Sequence, residues 1–249
     1  MPINGEQFPS PEPEPNSENR HVEPEEYKNK KTKYFSDFAL KNFSTMRILK
    51  KGGLLGREGV DWRNIAEHCL TEAVAADILA EHLHADRNEV VEAALLHDWF
   101  KRREVESMNQ LGGEQGYGIS KAEDKKLLSK FNVSKDIIAL ANANIPESAD
   151  PDYLEERPIE QKIVHFIDLI TSGSEFMNAE DRLLKVEENP RNVEFSDSFR
   201  GRYNGKTLFE FQRQLAVEEQ DEFENILGLE KGTLISFIER EIEKRTASS

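Results

Sequence analysis

The sequence predicts an all-α protein, and three observations carry that expectation. Apolar residues recur at helical spacing through most of the chain, as in Ile65, Cys69, Ala73, Ala76, Leu79 and Leu83. No stretch shows a sustained period-two alternation of apolar and polar residues. Several periodic segments open on residues suited to cap a helix: Asp61, Asp86, Ser120 and Ser134.

Residues 1–26 hold six of the ten prolines and seven glutamates, with almost nothing apolar. Such a segment cannot bury enough surface to offset its ordering entropy, so residues 1–30 are expected to be a disordered acidic tail. Lys28, Lys30, Lys31 and Lys33 read as a solvated connector. Phe35, Phe38, Phe43, Met46 and Leu49 then suggest one or two helices, which KKGGLLGREG interrupts. Asp61 is the expected N-cap of a helix reaching about His84, with His68 bordering its apolar face. Asp86 and Glu89 have the spacing of a capping box for the next helix, which ends at His97-Asp98.

Residues 104–119 are polar and glycine-rich and are expected to form a loop near that helix end. Ser120 with Glu123 should open a helix to about Phe131, and Ser134 another through Ala141. NANIPESADPDYLEERP reads as loop until Pro158, at the first helical position. Ile159, Ile163, Phe166, Ile167 and Ile170 form the stripe of the helix that carries Asp168 on its flank. Beyond Phe199, two more helices are marked by Leu208, Phe211, Leu215 and Phe223, and by Leu234, Ile235, Ile238 and Ile242. The organisation expected is a tail over 1–30, a domain over 34–185 and a helical extension over 186–249 packed on it.

The net charge of −15 argues against a general nucleic-acid grip, which needs a basic face. A single cysteine, Cys69, leaves no internal disulfide framework and fits a reducing compartment. No apolar run approaches membrane-spanning length, and the first twenty residues lack the basic start and apolar core of a signal peptide. A cytoplasmic protein with no membrane attachment is the expectation.

The segment VVEAALLHDWFKRR, Val90 to Arg103, places an imidazole and a carboxylate side by side at the end of an apolar helix. Burying that pair is costly without a positive partner, and a divalent cation is the simplest one. Further ligands stand at a distance, His68 in AEHCLTEAVAADILA and Asp168 in VHFIDLITSG. The order His68, His97-Asp98, Asp168, with AALLHDWFK around the central pair, resembles the HD-domain superfamily of metal-dependent phosphohydrolases over roughly residues 40–180. The resemblance implies a helical bundle in which His68, His97, Asp98 and Asp168 hold one divalent ion (Mn, Co, Mg, Ni, Zn or Fe). Two His and two Asp leave room for water on the ion, the open arrangement of a catalytic site. It also implies catalytic roles for Asp98 and Lys101, with Lys101 and, more weakly, Arg102 contacting a substrate phosphate.

The chain departs from the two-metal branches of that superfamily, because no His lies between His97 and His165. The intervening LANANIPES offers Asn142 and Asn144 instead, which argues for a single metal. His165 is read as core or supporting, Cys69 as core, and His21, His82 and His84 as surface. Glu72 and Glu104 are read as exposed helix carboxylates in preference to groups that orient a ligand. The expected activity is hydrolysis of a phosphoester or phosphoanhydride of a nucleotide or small phosphorylated metabolite. Two alternatives stand beside it: an HD scaffold that binds metal or nucleotide without turnover, and an alarmone hydrolase lacking that group's further motifs. A homodimer contact, if formed, is expected on the C-terminal helices.

Overall fold

One almost wholly buried helix organises the computed structural model, which describes residues 25–55, 62–111 and 113–248. This helix, α3 (Arg63–His82), is buried nearly all round from Thr71 to Ala80. Its small residues Ala73, Ala75, Ala76 and Ala80 let neighbouring helices approach closely on every side, and a helix apolar all round belongs in a core. Around it pack α1 (Glu25–Lys41), α4 (Arg87–Leu96), α9 (Ile159–Ile170) and α13 (Leu234–Ala247). The polar intruder on α3, Asp77, is satisfied by both flanks. Arg87 grips it with two bonds of 2.9 Å, and Arg245 Nη1 donates to it at 2.7 Å. That fork geometry is the strong form of a charge-assisted pair.

The remaining helices are α2 (Phe43–Lys51), α5 (Lys101–Leu111), α6 (Gly113–Lys130), α7 (Lys135–Ala141), α8 (Pro151–Glu155), α10 (Ala179–Glu187), α11 (Pro190–Asp197) and α12 (Leu208–Leu227). A two-residue antiparallel hairpin, Thr171–Ser172 with Glu175–Phe176, follows α9. The all-α class is therefore what the chain adopts. A second apolar core lies beside the first, where Phe199, Tyr203 and Phe211 stack and Leu169, Leu183 and Leu215 close around them. Helix α13 returns to the main core through Leu234, Ile238 and Ile242. The C-terminal extension thus contributes to both cores, and the expected boundary at 185/186 falls inside α10.

Several local expectations need correction. Helix α1 begins at Glu25, inside the segment expected to be disordered, while residues 1–24 lie outside the described residues, as does Asp61. The N-cap position of α3 is Trp62, with no side-chain cap. Asp86 caps α4 by accepting from Asn88 N and Glu89 N, but Glu160 of α9, rather than Glu89, accepts from Asp86 N at 3.1 Å. Ser134 caps α7 as expected. Pro158 occupies the N-cap of α9, one residue before the expected position, and the loop ahead of it contains the short α8, capped by Asp150.

The largest departure is over 104–119, which is helical in α5 and α6 where a loop was expected. Ser120, read as a cap, lies within α6 and donates back to Tyr117 O. The glycine that suggested a loop is instead a packing device. A Cβ on Gly116 would stand 2.7 Å from Met108 Cα and 2.7 Å from Ser107 O, so only glycine lets α6 approach α5 this closely. Gly118, two residues on, has nothing within 4 Å of such a Cβ. Gly116→Ala should therefore lower unfolding stability by about 1–3 kcal/mol through overpacking. Gly118→Ala should raise it by about 0.5–1 kcal/mol through helix propensity. Chemical denaturation of the two variants checks the contrast.

Candidate metal centre

Three elements converge on the ionisable cluster. Helix α3 brings His68 and, one turn on, Glu72; the end of α4 brings His97 and Asp98; α9 brings Asp168. All five are buried or nearly so. His68 Nε2 lies 2.8 Å from Glu72 Oε1 and 3.7 Å from Asp168 Oδ1. His97 Nε2 lies 3.7 Å from Asp98 Oδ2 and 3.9 Å from Asp168 Oδ1. One ligand atom from each of His68, Glu72, His97 and Asp168 falls within 4.8 Å of the others.

The other face of His97 sets its tautomer. Nδ1 approaches Ala94 O at 2.8 Å and Glu72 Oε2 at 3.0 Å, so its hydrogen is shared between those acceptors. In the neutral ring that leaves Nε2 as a buried lone pair with no hydrogen-bond partner, facing the two aspartates. Ligand atoms that share an ion at about 2.0–2.2 Å stand roughly 3–4.4 Å apart, which the spacings above match. The group that could hold a divalent ion is therefore His68, Glu72, His97 and Asp168, with Glu72 taking the place the sequence reading gave to Asp98, whose Oδ2 stands beside the group 3.7 Å from His97 Nε2.

The electrostatics lead to the same point. Burial disfavours a charged His68 ring, yet Glu72 and Asp168 overcome it and push its pKa up to about 10. His97 is likewise raised well above the usual imidazole range, against its burial, by Glu72 and Asp98. Burial would raise Asp98, but Lys101 and His97 draw it down to about 2. Asp168 is also driven down against burial, by its bond to His68 and by His97 and Arg182. Without an ion, protons on the imidazoles balance the carboxylates; a divalent cation supplies the same positive charge and displaces them.

A second ring of charge surrounds this cluster. Lys101 Nζ lies 3.2 Å from Asp98 Oδ1 and 3.0 Å from Glu104 Oε1. Glu104 is buried and also faces Lys121 at 3.4 Å, whose ammonium reaches His97 O at 3.4 Å and sits over the Tyr117 ring. Trp99 donates its indole N–H to Asp124, whose carboxyl burial pushes up to about 6. From α10, Arg182 donates to Thr171 O at 2.6 Å and to Asp168 Oδ1 at 3.3 Å. A cleft of about 530 Å³ opens over the cluster, and its charged lining residues are Asp98, Lys101, Glu104, Asp168, Arg182 and Lys185, beside His68.

The structure gathers His68, His97, Asp98, Asp168 and Lys101 as the sequence suggested. Arg102 is not brought to the cleft; it pairs with Glu106 at 3.3 Å on the outer surface of α5. His165 faces α12, where its Nδ1 meets Glu219 Oε2 at 2.6 Å, so it is a core group. Glu72 and Glu104, read as exposed, are 1% and 5% exposed. Their signal was present: Glu72 stands four residues after His68 and Glu104 three after Lys101, which puts each on the same helix face. Arg182 and Lys185 carried no local signal, because only the tertiary fold brings α10 over α9.

Residues 65–173 match the family model of the HD domain, a span that contains His68, Glu72, His97, Asp98 and Asp168. No curated protein and no solved structure matches the chain.

Because the metal must displace protons from rings whose pKa is raised, its affinity should fall as pH is lowered from about 8 to about 6, with protons released on binding. Calorimetric Mn²⁺ titration in buffers of different ionisation enthalpy measures both. His97→Ala should remove stoichiometric binding, and Glu72→Gln should weaken it by roughly 10–100-fold.

Proposed function

Because residues 65–173 match the family model of the HD domain, we propose that this chain is a metal-dependent phosphohydrolase that cleaves a phosphoester or phosphoanhydride of a nucleotide or small phosphorylated metabolite. One observation carries the reading. The buried His/carboxylate cluster, with the unpartnered Nε2 of His97 in it, underlies a cleft lined by the cations Lys101, Arg182 and Lys185 beside the carboxylates Asp98, Glu104 and Asp168. With a divalent ion on the cluster, those cations would help draw a phosphate to it.

The chain's own groups then have definite tasks. His68, Glu72, His97 and Asp168 would hold the ion, which when bound polarises a phosphoryl oxygen and lowers the pKa of water. Lys101 pairs ionically with Asp98 and Glu104, and its side chain, 33% exposed, lines the cleft, where its ammonium would meet a phosphate oxygen. Arg182 uses its fork to fix Asp168 and the Thr171 carbonyl, which holds Asp168 in register with the histidines. Asp98 stays ionised and so accepts a hydrogen bond from the attacking water, orienting its oxygen toward phosphorus. Water oxygen bonds to phosphorus and gives up a proton to solvent, the bridging P–O bond breaks, and the leaving alkoxide oxygen takes up a proton from solvent, whereas a leaving phosphate stays as the anion. The products are inorganic phosphate and an alcohol, or a shortened phosphate chain.

Protein stripped of metal and reloaded with Mn, Co, Mg, Ni or Zn should release phosphate from nucleoside mono-, di- or triphosphates only in the reloaded form. Asp98→Ala should abolish release. Lys101→Ala should lower kcat/KM by roughly 10–100-fold, the cost of a lost charged contact to phosphate. Stoichiometric metal with no turnover on any probe would sink the hydrolase reading and leave a binding protein.

A further inference from the structure

A buried lysine on α6 has no task in the chemistry above. Lys121 is only 8% exposed, and a lysine is almost never buried so deeply unless its charge is paired. Helices α5 and α6 pack antiparallel: Gly116 lies against Met108, and Lys121, further along α6, lies against Glu104, further back along α5. The Lys121 ammonium stands 3.4 Å from Glu104 Oε2 and 3.4 Å from His97 O, the carbonyl at the end of α4. Three residues along the same helix, Asp124 accepts the indole N–H of Trp99. Helix α6 therefore meets the turn that carries Asp98 at two points.

The charges around Lys101 depend on this arrangement. Lys101 faces Asp98 at 3.2 Å and Glu104 at 3.0 Å, so two buried carboxylates stand against one ammonium. Left at that, the three groups would present one net negative charge to an anion entering the cleft. Lys121 supplies the missing positive charge, and it supplies it from behind. Lys101 and Glu104 line the cleft, whereas Lys121 does not. Shared between two ammoniums, Glu104 draws less on Lys101. Because the groups are buried, salt screens this balance only weakly.

We infer that Lys121 is a positioning residue of this site, acting through Glu104 to leave the Lys101 ammonium available in the cleft to a phosphate oxygen. It touches no substrate itself. Its effect is to offset the one carboxylate that would otherwise hold Lys101 and repel the phosphate.

This inference rests on the hydrolase reading for the phosphate that Lys101 meets, and its test reads binding, which separates the two. Inorganic phosphate would be titrated by calorimetry into Mn²⁺-loaded wild type, Lys121→Met, Glu104→Gln and the double variant, with circular dichroism and Mn²⁺ stoichiometry confirming that each folds and loads. Lys121→Met keeps the length of the side chain but leaves Glu104 to Lys101 alone, so phosphate affinity should fall about tenfold. The double variant removes both charges and should bind within about threefold of wild type. Glu104→Gln, which keeps the buried lysine, should tighten phosphate binding severalfold, roughly the reverse of the first effect. A lysine that served packing alone would leave the double variant as impaired as Lys121→Met, because its contact with His97 O is missing from both. Lys121→Met with wild-type phosphate affinity, a double variant no better than the single one, or no tightening in Glu104→Gln overturns the inference and leaves the hydrolase reading intact. The expected pattern in a protein that turns over no phosphate ester upholds the inference and overturns the hydrolase. A wild type that loads Mn²⁺ yet binds no phosphate overturns both.

Discussion

Three carboxylates are held in a buried space that also contains two imidazoles, and the rest of the structure answers to that constraint. Glu72, Asp98 and Asp168 cannot share low-dielectric surroundings without compensating positive charge. Histidine protonation, Lys101 and Arg182 supply it in the protein alone, and a divalent ion supplies it more compactly. The raised imidazoles and depressed aspartates record how strongly the site draws positive charge. Three helices from distant parts of the chain must meet at one point, and this is why α3 is so thoroughly enclosed. Its alanines let α4 and α9 come close enough for His68, His97 and Asp168 to meet.

The C-terminal helices complete that arrangement. Arg182 on α10 reaches back to Asp168 and Thr171, while α12 anchors the segment carrying Asn144 and supplies the aromatic side of the cleft through Phe209. Buried between α9 and α12, Glu219 joins His165 at 2.6 Å and Arg157 at 2.6 Å, so the helix that carries Asp168 is tied to α12 by a hydrogen bond as well as by packing. The candidate metal-facing groups fall within residues 65–173, while Arg182, Leu183, Lys185, Phe195 and Phe209, which also line the cleft, come from outside that span. Among the described residues no helix is long and apolar enough to cross a membrane.

What the sequence made legible follows from range. His68, His97, Asp98 and Asp168 could be read because each sits in a short local pattern: an imidazole on the edge of an apolar stripe, an HD pair after AALL, an aspartate on a helix flank. Glu72 and Glu104 had the right spacing but were misread, because helical carboxylates are exposed far more often than buried, and their burial depends on a neighbouring helix. The 104–119 stretch was misread because glycine is ambiguous. At Gly116 it marks a close helix–helix approach, which no single-chain pattern distinguishes from a turn. Arg102 was overvalued for the opposite reason: adjacency to Lys101 suggested a shared role, but one residue along a helix turns a side chain by about 100° onto another face. Asn144 was noted only for not being a histidine, and its place in the cleft lining comes from the tertiary fold, where Gln212 of α12 donates to its backbone oxygen.

The central claim is that His97 offers its Nε2, and not its Nδ1, to a divalent ion shared with His68 and Asp168. Anomalous diffraction from crystals soaked in Mn²⁺ tests it most directly. One peak within about 2.0–2.3 Å of His68 Nε2, His97 Nε2 and Asp168, with Nδ1 of His97 still turned to Ala94 O, is the result this account predicts. A fully loaded crystal with no peak there, or with the ion on the Nδ1 side beside Glu72 alone, would contradict it.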